Sequence, residues 1–233
     1  KFVHYRPKSA ILTSVEFDHA DIYRDLEHVR EAFRAFVDLI PEDGVLLACA
    51  DGEHVGPIAD RSASPVEYYT TRGAEGATWS GRVLSARPEG MRFEVVRRGE
   101  SLGEFEATLV GEHNLANLTA VVALLTHFGA SPEAIAGALA GYQGVKRRQT
   151  IFGEPRGITL IDDFAHHPTA VKATIEATRL RFGADRRLWT VFEPRTNTTR
   201  RNIFQDRYGE AFDGTEHLLV APVHNLESIP EAE

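Results

Sequence analysis

The segment IDDFAHHPTAV, residues 161–171, places Asp162, Asp163, His166 and His167 within six positions, between an apolar run and a Pro-Thr pair. Carboxylates and imidazoles this close suit three kinds of chemistry: metal ligation, proton transfer, or the cradling of a nucleotide. The spacing departs from the usual zinc signatures, which weakens a metallohydrolase reading but leaves it open. Three other clusters carry comparable groups. VEFDHAD, residues 15–21, offers Glu16, Asp18, His19 and Asp21, a set that suits a cation and equally suits a solvated loop with an N-capping aspartate. GEHNLANLTA, residues 111–120, has His113 and Asn114 at a helix start and Asn117 one turn on. An amide at that place caps a helix, and two amides can also bracket adenine, whose edge offers one donor and one acceptor. GVKRRQ, residues 144–149, contains three consecutive cations. A solvated charge run and a phosphate site both fit, because the planar fork of arginine grips phosphate bidentately.

These clusters need a scaffold, and the hydrophobic rhythm predicts one. ILTSVEF (11–17) and VLLACA (45–50) read as strands, with an amphipathic helix between them over 25–40. From Thr78 to Leu109 the pattern alternates, and MRFEVVRRGESLGEFEATL predicts two strands around a Gly-containing turn, an antiparallel ribbon inserted in the sheet. Asn114 is expected to cap a helix that stops at Gly129, and Ser131-Pro132 to open the next. After Gly144 come a strand ITLID, a helix from Pro168 to about Phe182, a strand LWTVF, a helix near 201–213 and a strand HLLVA. Strands alternating with helices predict a second, doubly wound α/β unit with a parallel sheet, joined to the first near 148–155. In that arrangement VEFDHAD and IDDFAHH both lie at carboxyl ends of strands, where open α/β sheets take their ligands.

With 233 residues, two domains or one and a part are expected. A net charge of −8 speaks against generic binding to nucleic acid. The single cysteine, Cys49 in VLLACA, excludes an internal disulfide and suits a buried thiol in a reducing cytoplasm. No apolar run approaches the roughly 18 residues of a membrane span. The chain starts at Lys1 and ends in SIPEAE, and a fragment of a longer protein is expected.

In their order, EFDHAD, GEHNLAN, GVKRRQ and DDFAHHPT resemble the motifs of the Mur ligase family, the ATP-dependent enzymes that add amino acids to UDP-N-acetylmuramic acid, over nearly the whole chain. Within it, EFDHADI and FEPRTNTTR (192–200) look most like the branch that joins the murein tripeptide L-Ala-γ-D-Glu-meso-diaminopimelate to UDP-MurNAc in peptidoglycan recycling; the L-alanine-adding branch is a close second. The resemblance implies part of a central ATPase-type domain over 1–150 and part of a Rossmann-like ligase domain over 151–233. It implies ATP and Mg²⁺ as cofactors, His19 as a metal ligand, and His113, Asn114 and Asn117 as nucleotide contacts. Arg148 resembles the arginine that meets the γ-phosphate, and Asp163 the carboxylate that meets the ribose. His166 and His167 would line the acceptor side, and Arg195, Asn197 and Thr198 would face the incoming amine.

The departures from the family pattern are as informative. None of the four lysines, Lys1, Lys8, Lys146 and Lys172, follows a glycine, so the phosphate-cradling GK[ST] loop is absent. Residues 20–57 contain no lysine to match the carbamylated lysine of several relatives. The fragment by itself is therefore expected to be inactive. Two readings from other classes remain: a metal-dependent hydrolase built on Asp162, Asp163, His166 and His167, and a non-catalytic nucleotide-binding module.

Overall fold

A computed structural model of the chain describes residues 4–223. Its larger part is a six-stranded sheet whose strands lie side by side in chain order: β1 (Ser9–Leu12), β2 (Val45–Cys49), β3 (Val66–Thr70), β4 (Trp79–Arg87), β5 (Gly90–Arg97) and β6 (Glu100–Ala107). β1 to β4 run parallel, and β4, β5 and β6 form antiparallel pairs. Every residue of β2 is buried, because both faces of the sheet are covered. Val45, Leu47 and Cys49 pack with α3 (Glu112–His127), α4 (Pro132–Gly141) and the ribbon residues Trp79, Phe93 and Phe105. Leu46 and Ala48 face the other way, toward Val29 and Val37 of α1 (Leu26–Val37) and Ile58 of α2 (Gly56–Ala59). The expected ribbon is present and extends the sheet outward at one edge. Along β5, Met91, Phe93 and Val95 point into the core.

Local signals behave as their chemistry dictates at two helix starts. Asp25 accepts the His28 N–H at 2.8 Å to cap α1, and Ser131 accepts the Ala134 N–H at 3.3 Å ahead of Pro132 in α4. Asn114 behaves differently. The residue at the cap of α3 is Gly111, at φ 111°, and Asn114 lies inside the first turn, donating from Nδ2 to the Val110 carbonyl at 2.9 Å. Gly111 also allows a close approach, since a Cβ there would lie 2.5 Å from Cβ of Ala177 on α5.

The C-terminal part comprises β7 (Thr150–Gly153), β8 (Leu160–Asp162), α5 (Pro168–Phe182), β9 (Trp189–Phe192), α6 (Gln205–Ala211) and β10 (His217–Val220). β9 and β10 are parallel, and Val171, Ile175, Ala211 and Phe212 form the core beneath them. β8 departs from the sequence reading: it pairs antiparallel with β7, opposite the junction, rather than with β9. β1 is also shorter than ILTSVEF, because the chain beyond Leu12 leaves the sheet for contacts with the C-terminal part. α6 is shorter than 201–213, its first turns being taken up by the bend that follows FEPRTNTTR. Among the described residues no helix is long and apolar enough to cross a membrane.

Candidate functional site

The loop after β1 carries Glu16, Asp18, His19 and Asp21, and each of its acidic residues engages a partner far along the chain. Thr169 on the first turn of α5 donates to Oε2 of Glu16 at 2.6 Å. Thr198 donates to Oδ1 of Asp18 at 3.1 Å, and Asn197 donates from Nδ2 to Oδ2 of Asp21 at 3.1 Å. Arg207 of α6 donates to the Thr169 hydroxyl at 3.1 Å and lies 4.0 Å from Glu16. His19 stands out from this seam. Its backbone is left-handed, at φ 54°, its N–H is held by Asp18 Oδ1 at 2.6 Å, and its ring is 64% exposed.

His167 sits inside the seam and caps α5. Nδ1 accepts the Thr169 N–H at 3.3 Å, so the ring proton is on Nε2, which donates to the Phe17 carbonyl at 3.2 Å. The ring meets Phe204 edge-on, as does the ring of Phe17. Burial disfavours the charged form and lowers the His167 pKa below the ordinary histidine value, against the opposing pull of Glu16 and Asp18. Both ring nitrogens thus bond to backbone groups, and His167, expected to line the acceptor side, here caps α5 and docks it against Phe17. His166 is more open. Its Nδ1 donates to the Phe164 carbonyl at 3.0 Å, and Nε2 faces Asp18 Oδ2 at 3.8 Å. The Tyr208 hydroxyl donates to the His166 carbonyl, and its burial pushes the Tyr208 pKa up to about 12.

A second convergence joins three of the sequence clusters. Arg147 and Gln149 are both left-handed, which folds GVKRRQ back onto IDDFAHH. Phe164 N–H donates to the Arg147 carbonyl at 2.8 Å, and the two oxygens of Asp163 accept from Gln149 N–H at 2.8 Å and Ala165 N–H at 2.7 Å. Asp162 lies 3.6 Å from Arg147 Nε. His113 Nε2 is 3.3 Å from the Gln149 amide, while its Nδ1 is buried without a hydrogen-bond partner. Burial again lowers the pKa, and this imidazole is kept neutral. Arg148 extends from the same bend with its guanidinium 6.0 Å from the Phe164 ring centre. Asn117 is exposed on the helix face that carries His113.

Arg195 does not join either group. Its side chain is 69% exposed, and Oε2 of Glu193 lies 3.9 Å away, as a surface pair would. Asn197 and Thr198 turn from the expected amine-facing position toward Asp21 and Asp18. Sequence reasoning missed Glu16 as a docking residue, along with Gln149, Phe204 and Arg207. A shallow cavity of about 400 Å³ between the ends of β2 and β3, lined in part by Asp51, Glu53 and Tyr68, shares no residue with these clusters.

Among the described residues no three His, Cys, Asp or Glu side chains converge as metal ligands, and Asp162, Asp163 and His167 are taken by other partners. His19 offers an exposed imidazole, a side-chain type that fits a metal ion whose other ligands come from phosphate and water.

Comparison with known proteins agrees with this layout. Residues 1–125 match the Mur ligase middle domain, and residues 147–231 match the Mur ligase, glutamate ligase domain. The UDP-N-acetylmuramate–L-alanine ligase of Acetivibrio thermocellus is 32% identical over 225 residues, 96% of this chain and 47% of that protein. The UDP-N-acetylmuramate–L-alanyl-gamma-D-glutamyl-meso-2,6-diaminoheptandioate ligase of Escherichia coli is 35% identical over 226 residues, 96% of this chain and 48% of that protein. The crystal structure of the UDP-N-acetylmuramate-alanine ligase of Thermotoga maritima superposes with a TM-score of 0.73 at 22% identity, covering 95% of this chain and 47% of that one, which speaks for the fold. The chain spans about half the length of the curated relatives it matches. With both domain matches in their order and together covering most of its residues, the chain belongs to the Mur ligase family.

Proposed function

We propose that this chain is the middle and C-terminal portion of an ATP- and Mg²⁺-dependent ligase of peptidoglycan recycling in the cytoplasm, which joins the murein tripeptide L-Ala-γ-D-Glu-meso-diaminopimelate to UDP-MurNAc. The domains divide near residue 150. ATP with Mg²⁺ supplies the phosphoryl group that activates the muramyl carboxylate for attack by the amine. His19 holds the metal, His113, Asn114 and Asn117 face the nucleotide, and Asp163, with each carboxylate oxygen accepting one backbone N–H, fixes the bend that carries Arg148 and meets the ribose only through its remaining lone pairs. Arg148 offsets charge on the γ-phosphate, and its exposed guanidinium at a bend linking the two domains is suited to that task. His166, next to Asp18, lines the acceptor side.

The observation that carries this reading is the seam itself. FEPRTNTTR, from the carboxyl end of β9, is docked by Asn197 and Thr198 onto the DHAD loop, so the segment that carries the resemblance to the tripeptide-adding branch lies beside the proposed metal ligand. Arg195 projects from this segment with its fork exposed. A tripeptide carries carboxylates that L-alanine lacks, and an arginine fork suits them. L-alanine is the alternative acceptor, supported by the relative from Acetivibrio thermocellus. Steady-state kcat/KM of the full-length protein with each acceptor tests the choice. The tripeptide is expected to be preferred, and Arg195→Ala to lower tripeptide use by about one to two decades while sparing L-alanine. Equal losses leave Arg195 without a selective role, and a wild-type preference for L-alanine moves the protein to the other branch.

A further inference from the structure

We infer that Thr198 is a positioning residue which, through Asp18, sets the backbone of His19 and so couples the turn after β9 to the proposed metal ligand; the inference rests on the reading of His19 given above. Asp18 Oδ1 accepts two hydrogen bonds, from the His19 N–H at 2.6 Å and from the Thr198 hydroxyl at 3.1 Å. The first bond helps hold His19 at φ 54°, a conformation that a non-glycine residue keeps only when its surroundings impose it. The second comes from a side chain that is 4% exposed although it lies in a turn, so the Thr198 hydroxyl is committed to Asp18 rather than to water. Asn197 grips Asp21 at 3.1 Å, on the other side of His19. Two consecutive residues of one turn therefore clamp both ends of the DHAD segment, while the His19 carbonyl accepts from Ile22 and Tyr23 at 2.8 and 3.0 Å.

A shift of the turn moves both clamps at once, and the His19 ring with them. Docking of the C-terminal part thereby sets where the proposed metal ligand stands. The test uses the full-length protein, Mn²⁺ as an electron-paramagnetic probe of the magnesium site, and a non-hydrolysable ATP analogue. Thr198→Val keeps the shape and deletes the hydroxyl. It is expected to weaken Mn²⁺ binding about tenfold, the scale at which residues that orient a ligand act, whereas Thr198→Ser stays within about twofold of wild type. Asn197→Ala, at an exposed position, is expected to weaken it about threefold and decides the matter if Thr198→Val does not fold. His19→Ala serves as the reference. Weak binding by His19→Ala with wild-type binding by Thr198→Val and Asn197→Ala overturns the coupling alone. Wild-type binding by His19→Ala overturns the metal assignment and the coupling with it.

Discussion

The seam between the domains and the rim beside it are built from the same motifs and differ in how their polar groups are used. In DHAD, Asp18 and Asp21 belong to the seam and His19 to the rim. In GVKRRQ and DDFAHH, Gln149, Asp163 and His167 spend their hydrogen-bonding atoms on backbone or neighbouring groups, whereas Arg148 stands exposed. In FEPRTNTTR, Thr198 is buried and Arg195 is not. A satisfied group fixes geometry, and an unsatisfied one at the surface is available to a ligand. On the reading proposed above, the contrast separates residues that hold the site from residues that act in it, even where they are adjacent in sequence.

Replacing a rim residue and a seam residue in the full-length protein is the direct way to break the contrast. Arg148→Ala is expected to slow turnover by about a hundredfold or more with an unchanged melting temperature, the scale of one lost charge-stabilising group. Coupled phosphate release and thermal denaturation check both halves. Turnover within a few-fold of wild type would move Arg148 to the solvated charge run. His167→Ala is expected to do the reverse: it removes the cap of α5 and orphans the Phe17 carbonyl, costing about 2 kcal/mol of stability. Urea midpoints measure the loss, and activity normalised to folded protein should stay near wild type.

The smallest expected effect is a dependence on pH. Burial lowers the folded-state pKa of His167 and of His113, so the unfolded chain takes up protons first as pH falls through about 6.5. Their neutral forms support the fold fully above that pH. Support is lost progressively below it, until the folded-state histidines also protonate. Urea midpoints at about pH 7.5 and 5.5 should therefore fall for wild type and fall less for His167→Asn, which retains a capping oxygen but does not titrate. An equal slope in both proteins would place the titrating group elsewhere.

Much of the scaffold was legible locally. Helix α5 runs from Pro168 to Phe182 as read, the Ser131-Pro132 start stands, and the VLLAC run is a strand buried on both faces. These depend on periodicity and capping within a few residues. The antiparallel partner of β8 was not legible, since an apolar triplet does not encode its neighbour. Asn114 misled because an amide near a helix start can also bond back to the preceding carbonyl. The clusters were found by residue type, but their division into seam and rim was not. It depends on partners 153, 176 and 180 positions away, for Glu16, Asp21 and Asp18, to which no local pattern points.

The chain-order arrangement of the six strands bears on how the molecule is made. Each strand pairs with the one synthesised just before it, so each added pairing closes a short loop at modest entropic cost. The sheet can thus assemble progressively during translation. The seam cannot, because its hydrogen bonds join residues up to 180 positions apart and must wait for Thr198 to be synthesised. A ribosome paused before that residue would carry a nearly complete sheet whose DHAD loop has yet to meet its clamps.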